Sequence, residues 1–224
     1  MNYLQSTIDY MLNADHWTGA MGLGALMTQH VGYSLLGVGV SALIGVPLGW
    51  WVGHTGKGRG MAVTISGAVR ALPTLGLITL FGLALGIGLR APLLALVVLA
   101  LPSVLAGAYT GIEAADRLAV DGARASGMSE TQVLTRVEIP LGAPQLVGGL
   151  RSASLQVIST ATLAAYTGAG GLGRLMFLGL TTQDYTSMLV ASFLVVVLAL
   201  GSEAVFSLIQ RAVAPAGTRH RKDS

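Results

Sequence analysis

The 224-residue chain contains 53% hydrophobic but only 10% charged residues, and its formal net charge is +3. A soluble globular domain carries roughly 25% charged residues, so this composition excludes an ordinary water-soluble domain and indicates a chain that folds in a bilayer. The absence of cysteine also excludes disulfides, zinc-thiolate sites and thiol nucleophiles.

The hydrophobic residues gather in five apolar runs, each long enough to cross a bilayer, which takes about 20 helical residues. The runs are Val31–Trp51, Met61–Ile87, Pro92–Ile112, Leu146–Tyr166 and Ser187–Ile209. None shows the alternation typical of a membrane barrel strand, so each predicts a helix. We therefore predict an all-α integral membrane protein with an external or interfacial segment (1–30), a transmembrane domain (31–212) and a basic cytoplasmic tail (213–224).

The basic residues lie mostly on one side of the predicted spans. That side holds Lys57, Arg59, Arg117, Arg124, Arg136, Arg211, Arg219, Arg221 and Lys222, whereas the other holds only Arg90 and Arg174. Because loops rich in Lys and Arg stay in the cytoplasm, the N-terminus is predicted outside and the C-terminus inside. We expect a multi-pass protein of a bacterial plasma (inner) membrane that contacts lipid and binds no nucleic acid.

The second span contains an ionisable residue and a proline. Arg70 and Glu203, in the fifth span, have similar depths from the cytoplasmic end, so we predict an ion pair between them. The alternative is that the Arg70 side chain extends to the interface. Interrupted membrane helices often border a cavity, which makes Pro73 and Thr74 candidates for lining a pathway.

A polar segment, 113–144, connects the third and fourth spans. Ser129 and Gln132 have the spacing of a capping box, so a helix is predicted to begin there and to end at Pro140. Gly127 suits the end of a preceding helix over Leu118–Ser126. The pattern alone fits a solvated connection equally well, but the small residues around Gly122 favour close approach by another protein.

This segment resembles the cytoplasmic signature of ABC importer permeases, EAA-x3-G-x9-I-x-L-P. The matching residues are Asp121, Gly122, Ala123, Gly127, Val137, Ile139 and Pro140, with Asp in place of Glu and Gly in place of the first Ala. The resemblance implies that Asp121–Pro140, here named the coupling segment, docks on a cytoplasmic ATPase. It also implies two ATPase subunits, a second permease that is identical or paralogous, and an extracellular substrate-binding protein. ATP and Mg²⁺ would bind to the ATPase, so this chain would hold no cofactor or metal and would not be an enzyme.

The fourth span carries a polar stripe formed by Ser152, Gln156, Ser159 and Thr160, which recur at three- and four-residue steps. Such a stripe either joins helices through hydrogen bonds or lines a watery path. Lining is favoured because the stripe leads into a stretch, Ala161–Gly173, that is rich in glycine.

This stretch, here named the glycine-rich segment, resembles the corresponding part of osmoprotectant permeases. Its glycines Gly168, Gly170, Gly171 and Gly173 are further candidates for lining the pathway. Their spacing also fits a dinucleotide fingerprint, but that site needs a strand before it and a helix after it in a βαβ unit. The resemblance implies a permease for glycine betaine, choline or carnitine that works by alternating access. Methionine-type importers share the stretch and remain an alternative, as does an ion-coupled secondary transporter.

Overall fold

The structure, a computed structural model, describes residues 2–214. Within these residues the chain forms ten α-helices and no strand. The helices are α1 Tyr3–Leu12, α2 Leu23–Thr55, α3 Arg59–Arg70, α4 Thr74–Leu85, α5 Arg90–Glu113, α6 Arg117–Ala125, α7 Glu130–Val133, α8 Ile139–Thr160, α9 Leu172–Thr182 and α10 Tyr185–Val213. Short 3₁₀ helices cover Ala14–Trp17 and Ala161–Thr167. The basic cluster predicted in the tail, Arg219, Arg221 and Lys222, lies outside the described residues.

Three of the described helices are long and apolar enough to cross a membrane: α2, α5 and α10. They correspond to the first, third and fifth predicted spans, although α2 begins at Leu23 rather than at Val31. The fourth predicted span is divided between α8 and the 3₁₀ helix Ala161–Thr167. The all-helical class is confirmed, while five spans and the orientation of the termini stay predictions.

The second predicted span, Met61–Ile87, is not one straight helix. The chain leaves helical geometry between Arg70 and Thr74, and the axes of α3 and α4 differ by 91°. Pro73 explains the break, because proline has no N–H to donate and disfavours helical geometry in the residue before it. Pro73 has an extended backbone and is the N-cap residue of α4.

The helix that follows Ser129 does not end at Pro140, so this prediction was wrong. A π-helical turn, Leu134–Glu138, joins α7 to α8, and the Ile139 amide donates to the Leu134 carbonyl five residues earlier. In an unbroken α-helix, the ring of Pro140 would collide with the carbonyl four residues before it. The wider π turn just before Pro140 relieves this collision, and the helix continues through both Pro140 and Pro144.

The described helices divide into two compact units. Within the described residues, unit 1 comprises 2–39, 71–100 and 154–202, and unit 2 comprises 40–70, 101–153 and 203–214. The core of unit 1 is a buried apolar cluster to which α2, α9 and α10 contribute, among others, Leu26, Leu172 and Val190.

In unit 2 the helices α5 and α8 approach each other through glycines. A Cβ atom on Gly107 would lie 2.7 Å from the Cα of Gly149, and one on Gly111 would lie 2.6 Å from the carbonyl oxygen of Gly142. Only glycine permits this spacing between helix backbones, which is the packing mode that small residues allow in lipid.

Candidate functional site

The turn between α6 and α7 lies in the coupling segment and is built by local signals. Gly127 has a φ of +81°, its amide donates to the Arg124 carbonyl, and the Met128 amide donates to the Ala123 carbonyl. These two bonds end α6 in a Schellman motif, which favours glycine at this position. The Ser129 side chain accepts from the Gln132 amide, and the Gln132 side chain accepts from the Ser129 amide. The capping box and the glycine stop are therefore confirmed.

A small apolar core supports this turn. Ala115, Val120, Ala123 and Val133 are buried in it, and Met128, Val137 and Leu141 pack against it. Two of the signature residues, Ala123 and Val137, therefore face the interior of the segment. Asp121, Gly122, Gly127 and Pro140 are exposed, and Ile139 is half-buried. The signature thus contains residues that build the turn and residues that are available to a partner.

The exposed side of α6 carries an unusual pair of residues. Leu118 is 82% exposed, although α6 is too polar to lie in lipid. Gly122 follows one turn later, and a Cβ atom there would meet nothing within 4 Å. Because residues four apart lie on the same face of a helix, Leu118 and Gly122 form one exposed patch.

A network of polar and charged side chains connects α2 to the coupling segment. Arg124 donates to Glu130 through Nε (3.0 Å) and Nη2 (2.9 Å), and the Nε2 atom of His54 lies 3.4 Å from Glu130. The Nδ1 atom of His54 lies 2.5 Å from Oε2 of Glu138, whose side chain is only 7% exposed. Asp121 lies at the edge of this network, 3.7 Å from Arg124.

The exposed and buried ends of this network differ in character. The hydrogen bond from Arg124 lowers the pKa of Glu130, and the same bond raises the pKa of Arg124. Both groups are open to solvent, where ion pairs contribute little. The His54–Glu138 contact is shielded from solvent, so we expect it to contribute more to stability than the exposed Arg124–Glu130 pair. Sequence reasoning missed His54, because no local pattern links residues 84 positions apart.

Glu203 pairs with Arg151 rather than with Arg70, which corrects the predicted ion pair. Arg151 contacts both carboxylate oxygens of Glu203, with Nε 2.6 Å from Oε2, and its Nη1 atom donates to Gln210. Gln210 in turn donates to the Pro144 carbonyl at 3.0 Å. Arg70, at the end of α3, is exposed and makes no hydrogen bond or ion pair with residues 2–214.

The glycine-rich segment in unit 1 needs glycine for two reasons. Gly168, Gly170 and Gly171 have φ values of +78°, +99° and +75°, which side chains rarely adopt. Gly173 lies in the first turn of α9, and a Cβ atom there would overlap the carbonyl oxygen of Thr162. The glycines are therefore explained by the backbone path of the segment. Whether they also line a pathway stays a prediction.

Side chains of α2 hold this segment by its backbone. Tyr33 donates through its hydroxyl to the Ala169 carbonyl at 2.5 Å, and Gln29 accepts from the Gly171 amide at 3.0 Å. Between them on α2, His30 is fully buried and its Nε2 atom donates to the Ile158 carbonyl at 2.8 Å. None of these three residues was predicted, since their partners lie more than 120 positions along the chain.

The other candidate lining residues do not form one cluster. The hydroxyls of Ser159 and Thr160 both donate to the Gln156 carbonyl of their own helix, at 2.9 and 2.7 Å. Such bonds use the hydroxyl proton locally and leave only lone pairs for a solute. Ser152 belongs to unit 2, whereas the rest of the stripe belongs to unit 1. Pro73 and Thr74 lie at the start of α4. A lining role for these residues stays a prediction.

Comparisons with known proteins match the chain to a family model, to related permeases and to a solved structure. A family model described as "Binding-protein-dependent transport system inner membrane component" matches residues 45–216. The choline transport system permease protein OpuBB of Bacillus subtilis (strain 168) is 30% identical over 195 residues, which cover 87% of this chain and 90% of that protein. The osmoprotectant import permease protein OsmW of Salmonella typhimurium is 30% identical over 221 residues, which cover 95% and 99%. An inward-facing structure of the MetNI methionine ABC transporter matches with a TM-score of 0.74 at 22% identity, covering 86% of this chain and 96% of that chain.

Proposed function

Since the chain belongs to the family of binding-protein-dependent transport system inner membrane components, we propose that it carries a small osmoprotectant across the bacterial inner membrane by alternating access. It is a permease subunit of an ABC importer, and its substrate would be a quaternary ammonium compound such as glycine betaine, choline or carnitine. The 30% identity to a choline permease and to an osmoprotectant permease supports this substrate class. The likeness to the methionine transporter, at 22% identity, shows the fold alone.

The exposed patch on α6 is the observation that carries the coupling part of this proposal. A glycine inside a helix costs roughly 0.5–1 kcal/mol relative to alanine. Nothing among the described residues requires glycine at position 122, because its φ is ordinary and the space around it is open. Close approach by another protein gives a reason for it, with the exposed Leu118 as an apolar anchor one turn away.

The partner on this patch would be a cytoplasmic ATPase. ATP and Mg²⁺ would bind to that subunit, and this chain would supply no catalytic group. Docking could drive transport only if the two ATPase states bind the coupling segment with different free energies. Two ATPases, a second permease and an extracellular binding protein complete the proposed complex.

The proposal is tested by uptake into proteoliposomes that hold the complete complex, with ATP enclosed or omitted. Radiolabelled glycine betaine, choline, carnitine and methionine are compared for the wild type and for Gly122→Gln. Glutamine favours helix but places a long side chain in the docking patch, at a packing cost of about 1–3 kcal/mol. We expect ATP-dependent uptake of a quaternary ammonium compound, reduced about tenfold or more by Gly122→Gln.

Gly60→Gln is the matched control. Gly60 is an exposed helical glycine in α3 with equally open space around it, and it lies outside the coupling segment. This variant should transport like the wild type. Uptake of methionine alone would contradict the substrate, uptake without ATP would contradict the mechanism, and full activity of Gly122→Gln would contradict the docking patch.

A further inference from the structure

An open cleft in unit 2 has one charged residue in its lining. The cleft measures about 280 Å³, and its polar lining consists of Arg70, Ser103, Thr110, Gln145 and Ser152. The remaining lining residues are three glycines and one alanine. This volume is close to the lower end of the roughly 300–1,000 Å³ found for small-molecule sites, so the cleft suits a small solute.

Two glycines in the lining of the cleft lie at the crossing of α5 and α8. The cleft lies where Gly107 and Gly149 bring α5 and α8 together, with a Cβ atom on Gly149 only 2.7 Å from the Ser103 carbonyl oxygen. A larger residue at either glycine would separate the helices and fill the cleft. Because these two positions have no side chains, the cleft stays open, and the polar side chains of its lining can contact a ligand.

The cation of this cleft has no counter-ion among residues 2–214. Arg70 contacts no carboxylate there, since the carboxylate at similar predicted depth, Glu203, is held by Arg151. The lining itself contains no Asp or Glu. An ionisable group at membrane depth is costly and generally marks a binding site or a pathway. The charge of the cleft is thus suited to an anionic group.

The neighbours of Arg70 can supply further hydrogen bonds to such a group. The side chains of Gln145 and Ser152 make no hydrogen bond within the described part of the chain, so their donors are available. Thr110 uses its proton on the Ala106 carbonyl at 2.6 Å and keeps its lone pairs. The planar guanidinium group presents paired N–H donors that match the two oxygens of a carboxylate.

We propose that Arg70 binds the carboxylate of the transported solute and so favours glycine betaine and carnitine over choline, which has an alcohol in place of the carboxylate. This inference rests on the proposed function and names the Arg70 guanidinium as the group that discriminates among the solutes. The guanidinium attracts the carboxylate of a zwitterion and repels a solute that carries only a positive charge. Gln145 and Ser152 donate to the same carboxylate or to the solvent it retains.

The test compares transport rates of the reconstituted complex at saturating binding protein loaded with glycine betaine, carnitine or choline. The variants are Arg70→Gln, Arg70→Lys and the control Arg59→Gln, which removes a cation from the other end of α3, where it pairs with Glu113. Arg70→Gln should lower uptake of glycine betaine and carnitine about tenfold or more, the loss typical of a charged hydrogen bond. Its choline uptake should stay level or rise. Arg70→Lys should keep part of the uptake, because it retains the charge but not the fork.

The outcomes separate this inference from the proposed function. If the wild type takes up none of the three solutes, the proposed function is wrong. If it takes up choline but neither zwitterion, the proposed function holds and the role of Arg70 is refuted. Equal losses for all three solutes in Arg70→Gln, or losses of the same size in Arg59→Gln, would also refute it. If the wild type transports only the zwitterions, the proposal is supported when Arg70→Lys retains uptake and Arg70→Gln loses it. Equal loss of uptake in the two variants refutes the proposal.

Discussion

The coupling segment is held by contacts between side chains, whereas the glycine-rich segment is held mainly through its backbone. In the first, a network of side-chain contacts joins Arg124, Glu130, His54 and Glu138, and a small apolar core supports the turn. In the second, Tyr33 and Gln29 bond to a carbonyl and an amide of a path that glycines make possible. The coupling segment should therefore respond to changes of charge, and the glycine-rich segment to changes of shape.

The largest effect that this comparison predicts is that of one added methyl group. Gly173→Ala places a Cβ atom against the Thr162 carbonyl oxygen, and backbone cannot move aside as a flexible side chain can. We expect the free energy of unfolding to fall by about 3 kcal/mol. Thermal unfolding of the purified protein in detergent, followed by size-exclusion chromatography, measures the loss.

The same substitution in the coupling segment is its control. Gly122→Ala adds a methyl group in open space within a helix, so stability should rise by up to about 1 kcal/mol. Equal destabilisation by Gly122→Ala and Gly173→Ala would remove the distinction between the two segments.

In the coupling segment, a change of charge without a change of size should lower the free energy of unfolding. Glu138→Gln leaves His54 facing a neutral amide in a shielded position, and we expect a loss of about 2 kcal/mol. Glu130→Gln removes a charge from the exposed end of the same network and should cost clearly less. Unfolding curves of the two variants, recorded at neutral pH, make the comparison. A larger loss in Glu130→Gln would mean that the exposed end of the network contributes more to stability than the His54–Glu138 contact.

The smallest predicted effect concerns one hydroxyl group. Tyr33→Phe removes the hydrogen bond to the Ala169 carbonyl and should lower stability by about 1 kcal/mol. Tyr166→Phe is the matched control, because the Tyr166 side chain is exposed and its hydroxyl makes no hydrogen bond with residues 2–214. If both variants unfold at the same temperature as the wild type, the backbone path rather than Tyr33 holds the glycine-rich segment.

The sequence predicted features whose partners are close along the chain. Ser129 and Gln132 are three residues apart, and Gly127 ends a helix through its own backbone conformation. Such signals need no knowledge of the fold. The helix was expected to end at Pro140, but a π turn just before this residue lets the helix continue. No residue pattern in the sequence predicted the π turn.

Contacts between distant residues could not be predicted in the same way. Counting residues from the end of a span estimates the depth of Arg70 and Glu203, but not the direction in which each side chain points around its helix. The Glu203 carboxylate instead pairs with Arg151, which lies in α8. His54 and Glu138 likewise meet only because the packing of unit 2 brings α2 to the π turn.

The π turn accommodates one extra residue without changing the angular phase of the helix that follows it. It holds one residue more than an α-helical turn, and each residue of an α-helix advances the direction of its side chain by about 100°. Because the extra residue is accommodated within a single turn, removing one residue from Leu134–Glu138 would restore an α-helical turn and leave Gln145 and Ser152 close to their present direction relative to α7. In this permease, the loss of one residue from the π turn would therefore leave the same side chains of α8 at the cleft, whereas a loss from α8 itself, before Gln145, would rotate them away by roughly 100°.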